Sequence, residues 1–147
     1  MSRQQEILQP LALHSADGLL SQEGWARQPF WRYRRSALPA SAWRIKEWDY
    51  YAVVSPQGFA ITLTASNLGY AGLYAICFVD LGTGQSYQSD ALQLLPLARH
   101  AFPEQAADGE VRFANKQLSV HFVTTAGQRR LRFACSTLRG PHGSGIE

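Results

Sequence analysis

Cysteine, charge and long apolar runs are all scarce in this chain of 147 residues. There are only two cysteines, Cys77 and Cys135, and each sits inside an apolar, strand-like run. That suits small buried hydrophobes and speaks against the disulfide framework of a small secreted scaffold. Only 17% of the residues are charged, and 14 Lys and Arg against 11 Asp and Glu leave a formal charge of +3. So slight an imbalance is not the dense basic field by which proteins hold nucleic acid or anionic membranes. No stretch approaches the roughly 18 apolar residues of a membrane span. The polar start Met1-Ser2-Arg3-Gln4-Gln5-Glu6 leads into no signal-peptide core. The expected setting is cytoplasmic, with no membrane span and no nucleic-acid partner.

Motifs for cofactors and metals are missing too. Gly82-Thr83-Gly84 lacks the lysine and the following helix of a phosphate loop, and no Gly-x-Ser-x-Gly elbow occurs. His14, His100, His121 and His142 are scattered, and no pair has metal-ligand spacing. The reading therefore assigns no cofactor and no metal.

What the chain has in quantity is apolar and aromatic side chains, 46% and 12% of its residues. A single domain of this size buries about 70% of the surface its unfolded chain exposes, so a core forms without staples. Residues 1–30 carry the pairs Ile7-Leu8 and Leu19-Leu20 between Pro10, Gly18, Gly24 and Pro29, without a sustained period. They read as an irregular N-terminal arm. Residues 31–138 read as an antiparallel β domain, and 139–147 as a tail cut from a longer chain.

Within the β domain the clearest unit is Trp48 to Val54, then Ser55-Pro56-Gln57-Gly58, then Phe59 to Thr64. Proline presets φ at the second turn position and glycine accepts a positive φ at the fourth, so this is a hairpin. The run from Gly72 to Leu81 is apolar on both faces and is expected to be covered on both. A weaker strand spans Tyr87 to Leu95. Alternation returns through Val111 and Phe113, then Leu118, Val120 and Phe122, then Leu131, Phe133 and Cys135. About seven strands with short turns and no long helix predict an all-β, up-and-down meander forming a barrel or half-barrel.

The densest chemistry lies in Trp43-Arg44-Ile45-Lys46-Glu47-Trp48-Asp49-Tyr50-Tyr51. In a strand Glu47, Asp49 and Tyr51 share one face while Lys46, Trp48 and Tyr50 share the other. Two carboxylates then face one site. In an apolar interior, desolvation and mutual repulsion would raise one pKa and supply the neutral acid that protonation of a carbon–carbon double bond requires. The competing reading pairs both with Arg44, Lys46 or other arginines in a network that fixes register. Asp80, at the Gly82 turn, is the third candidate acid, with backbone capping as its alternative role. Trp31-Arg32-Tyr33-Arg34-Arg35 interleaves rings with cations, but alternation sends the rings to one side and leaves Arg32 and Arg34 solvated.

The segments Gly24-Trp25-Ala26-Arg27, Arg44-Ile45-Lys46-Glu47-Trp48-Asp49-Tyr50-Tyr51, Gly69-Tyr70 and Phe78-Val79-Asp80 resemble the N-terminal half of the bacterial domain-of-unknown-function family 2804. The resemblance spans roughly residues 19 to 135, and its specific part is Lys46 to Tyr51. Before Gly69-Tyr70, where the family pattern often has an acid, this chain has Ser66-Asn67-Leu68. The resemblance implies a calycin-type fold, distantly similar to two-barrel lipocalin-like carotenoid hydratases, with a second β module of the same chain. On it rests the expectation of a module that binds a hydrophobic small molecule, a lipid or isoprenoid, with Trp48, Tyr50, Tyr51 and Tyr70 as candidate ligand-binding residues. The alternatives are a hydratase, isomerase or cyclase using Glu47, Asp49 or Asp80 as acid, and a structural half whose partner module holds the site.

Overall fold

A computed structural model describes residues 5–94, 102–140 and 143–146. Eight of its strands form two four-stranded antiparallel meanders. The first sheet runs in the order β3 (Glu47–Ser55), β4 (Phe59–Asn67), β5 (Ala71–Asp80), β6 (Ser86–Leu94). The second is built from β7 (Gly109–Ala114), β8 (Leu118–Thr125), β9 (Gln128–Gly140) and β10 (Gly143–Ile146). The N-terminal arm reaches past residue 30, since the first large sheet starts only at Glu47; in it a short parallel pair, β1 (Leu11–Ala12) with β2 (Trp31–Arg32), precedes a 3-10 turn at Arg35–Ala37.

The predicted hairpin is the β3–β4 connection. Ser55 pairs with Phe59, the Gly58 N–H bonds the Ser55 carbonyl at 3.1 Å, and Gly58 takes φ +89°. A three-residue loop with glycine in the left-handed region fixes the register of everything that follows. Reading across β3, β4, β5 and β6, the inner face carries the rows Asp49-Ala65-Tyr74-Ala91 and Tyr51-Leu63-Ile76-Ser89. A slip of one residue would expose them all.

The inner faces meet in one core. Tyr74 stacks on Phe113 at 3.8 Å between centroids, and Tyr51 meets Phe122 edge-on at 5.1 Å. Leu63, Ile76, Leu118, Val120 and Cys135 are buried with them. Each large side chain so buried contributes about 2 kcal/mol. The strand β9 passes over the first sheet from its β3 side, where Arg129 stands by Asp49, to its β6 side, where Thr137 Oγ1 lies 2.9 Å from Ser89 Oγ. The second sheet thus runs across the strands of the first rather than along them.

Three features differ from the sequence expectations. Among the described residues β3 to β10 form two packed sheets beside the short β1–β2 pair, and no closed barrel is found. The outer face of β5, Leu73, Ala75, Cys77 and Val79, is half-buried by lateral packing against β4 and β6, with no second layer over it among the described residues. The tail also holds structure: β9 continues to Gly140, and β10 pairs back onto it. Glycine-rich Gly143-Ser144-Gly145 leaves no alternation from which that strand can be read.

Candidate functional site

Glu47 and Asp49 lie on the same inner face of β3, and their surroundings separate them. Glu47 is at the end of the strand nearest the arm, with a side chain 11% exposed. The Arg35 guanidinium grips it, Nη2 at 2.7 Å and Nε at 2.9 and 3.0 Å from the two oxygens. The Tyr33 hydroxyl donates a further bond at 3.1 Å. Burial and then the Glu47 charge push the Tyr33 phenol up, so at neutral pH it stays a donor. Arg35 also donates to the Phe102 carbonyl at 3.0 Å, and its backbone N–H bonds Glu104 at 2.8 Å. The arm, β3 and the segment entering β7 are thereby tied together through Arg35. Of the ionic network expected for both acids, the half at Glu47 is present, with Arg35 as its cation; Asp49 stands outside it.

Asp49, one inward position further on, makes no hydrogen bond or ion pair among the described residues. Burial pushes its carboxyl above the ordinary 3.8, and the Arg129 charge works in the opposite direction. Its side chain borders a pocket of about 330 Å³ at the open end of the two sheets. Trp31, Tyr33, Tyr51 and Phe122 supply the rings of the wall, Thr124 and Arg129 come from the β8–β9 end, and Pro103 to Glu110 close the remaining side. Trp31 Nε1 is buried without a partner. The pocket has a ring-bearing wall beside the half-buried Asp49 and a polar rim in which Glu104, Asp108, Glu110 and Arg129 take part, and such a mixture can orient a small ligand or pass a proton to it.

The other candidates are placed elsewhere. Asp80 turns its Oδ1 to the Gly82 and Thr83 N–H groups at 2.8 and 3.1 Å, capping the β5–β6 turn. Trp48 and Tyr50 point away from the core, 64% and 56% exposed, although Trp48 borders a hollow between the arm and β3. Tyr51 is the one ligand-binding candidate on the pocket wall.

Tyr70 belongs to a corner where two of the family-like segments meet. Lys46 donates to the carbonyls of Trp43 and Leu68, and its ammonium lies 4.4 Å from the Tyr70 ring centroid. Gly69, at φ +81°, passes so close to the Ala42 and Trp43 carbonyls that a Cβ would sit 2.6 and 2.8 Å from them. Lys46, Gly69 and Tyr70 therefore form a structural corner. Sequence reasoning left out Trp31, Phe122, Thr124 and Arg129 as pocket residues, and no local pattern marks them. His121, on the outer face of β8, pairs with Glu110 at 2.8 Å. Among the described residues no three His, Cys, Asp or Glu side chains gather as metal ligands, and no helix is long and apolar enough to cross a membrane.

Comparison with curated proteins and with solved structures finds no match in either set. The family model described as Domain of unknown function (DUF2804) matches residues 4–147, taking in the arm, both sheets and the corner at Gly69, so the chain belongs to that family.

Proposed function

We propose that this chain is a lipocalin-like module that binds a small hydrophobic molecule, a lipid or isoprenoid fragment, in the pocket beside Asp49. The crossed sheets are, on this reading, an opened barrel whose mouth is that pocket, in a protein with a second β module. The supporting observation is the wall itself: four rings, from Trp31, Tyr33, Tyr51 and Phe122, beside the Asp49 carboxyl, which has no hydrogen bond or direct ion pair among the described residues. A volume of about 330 Å³ is at the small end for ligand sites, so a long chain would project from the mouth. Native mass spectrometry of the purified chain is expected to show a bound apolar molecule, and Thr124→Trp, which fills the pocket from its rim, is expected to lose it. Identical spectra with no added mass in both proteins, before and after incubation with an isoprenoid alcohol, would overturn the reading.

One observation favours an enzymatic second reading. Of the three carboxyls at issue, Asp49 alone both borders the pocket and is held above its ordinary pKa. Proton donation is what hydration, isomerisation or cyclisation of an alkene begins with, and a carboxyl with a raised pKa holds its proton to higher pH than an ordinary one. Asp49→Asn would then retain the bound molecule but not convert it; conversion by the variant at the wild-type rate would remove Asp49 from the chemistry.

A further inference from the structure

The basic run at Arg32 to Arg35 is split by the fold. Arg35 is committed to Glu47 and the Phe102 carbonyl. Arg32 and Arg34 have no ion pair or hydrogen bond from their side chains among the described residues, and both line a separate cavity of about 410 Å³ in the N-terminal arm. His14 and Ser15 border the same cavity, and the rest of its lining is Pro10, Leu11 and alanines; no carboxylate is in the lining, and the nearby Asp17 accepts the Ser15 hydroxyl at 2.5 Å. His14 Nδ1 is buried without a partner.

The backbone holding these groups is fixed. Ala12 is paired with Arg32 in the β1–β2 ladder, the Leu13 N–H bonds the Arg32 carbonyl at 2.9 Å, and the Arg34 carbonyl accepts from the Ala37 N–H at 3.1 Å. Arg34 keeps the extended backbone, φ −135°, so the two arginines leave the same side of the chain about 7 Å apart. Two exposed guanidinium forks bordering one hollow suit a tetrahedral oxyanion, which each can bond in bidentate fashion.

We infer that this cavity binds a phosphate group, as the free anion or as a small phosphomonoester. The site is distinct from the Asp49 pocket and stands whether or not that pocket takes a hydrophobic ligand. A single compact anion fits better than a nucleic-acid strand, because Trp31 and Tyr33, the rings on which bases would stack, face the other pocket.

Calorimetric titration of the full 147-residue chain with inorganic phosphate and with phenyl phosphate, at constant ionic strength, is the test. One-site saturable binding is expected, weakened about tenfold by either Arg32→Gln or Arg34→Gln and lost in the double variant. Arg112→Gln, an exposed arginine on β7, is expected to bind as wild type. Phosphate alone binding would identify a free-anion site; phenyl phosphate binding more tightly would identify a phosphomonoester site. Absence of saturable binding, affinity unchanged in the double variant, or tighter binding of a single-stranded oligonucleotide than of phenyl phosphate would each overturn the proposal.

Discussion

Glu47 and Asp49 are two carboxylates on one face of one strand, and only their neighbours distinguish them. Glu47 meets Arg35 and Tyr33 from the arm and becomes a clamp. Asp49 meets the rings of the pocket and a charge, Arg129, that acts on it without a direct ion pair. Residue type and strand position are therefore insufficient to assign a role. What decides it is which distant segment the fold brings to each position, and whether that segment supplies a donor.

Removing each charge in turn sharpens the contrast. Glu47→Gln leaves Arg35 with a half-buried, unmatched guanidinium, and a loss of about 2 kcal/mol in urea unfolding is expected. Asp49→Asn removes a charge that burial disfavours, so the expected effect has the opposite sign: a gain of up to about 1 kcal/mol near neutral pH. Comparable destabilisation by both substitutions would erase the distinction.

The pH dependence of the second effect follows from its direction. An acid whose folded-state value is raised above 3.8 costs stability once ionised. That cost is full above the folded value, fades as pH falls through it, and is gone below 3.8. The advantage of Asp49→Asn over wild type is therefore expected to shrink on acidification, measured as the difference in urea midpoints at neutral pH and near pH 4. An advantage that grew instead would mean the carboxylate is stabilised in its charged form. The smallest effect is expected at Trp48, between the two acids in sequence but on the outer face: Trp48→Ser should change stability by less than about 0.5 kcal/mol. A larger loss would show that the outer face carries packing of its own.

Much of this arrangement was legible before any coordinates. Pro56 and Gly58 declared the hairpin, and period-two alternation put Glu47, Asp49 and Tyr51 on one side and Trp48 and Tyr50 on the other. Asp80 caps its turn because a short acid beside glycine has backbone N–H groups within reach. All of these are local. The partner of Glu47 was not legible, because the alternation of residues 31–34 ends at Arg35, where a 3-10 turn brings the side chain in. The pocket was not legible either. Phe122, Thr124 and Arg129 reach it because the second sheet crosses the first, and neither crossing angle nor sheet-to-sheet contact leaves a mark in a strand's own alternation.

The most direct test of the difference between the two carboxylates is the titration of the Asp49 carboxyl carbon, followed by NMR in the ¹³C-labelled protein and assigned with Asp49→Asn. The account predicts a midpoint above 3.8, the behaviour of a carboxyl whose charged form burial disfavours at the pocket wall. A midpoint at or below 3.8 would mean that the charged form of Asp49 is stabilised where it stands, and the contrast drawn between the two carboxylates would fall.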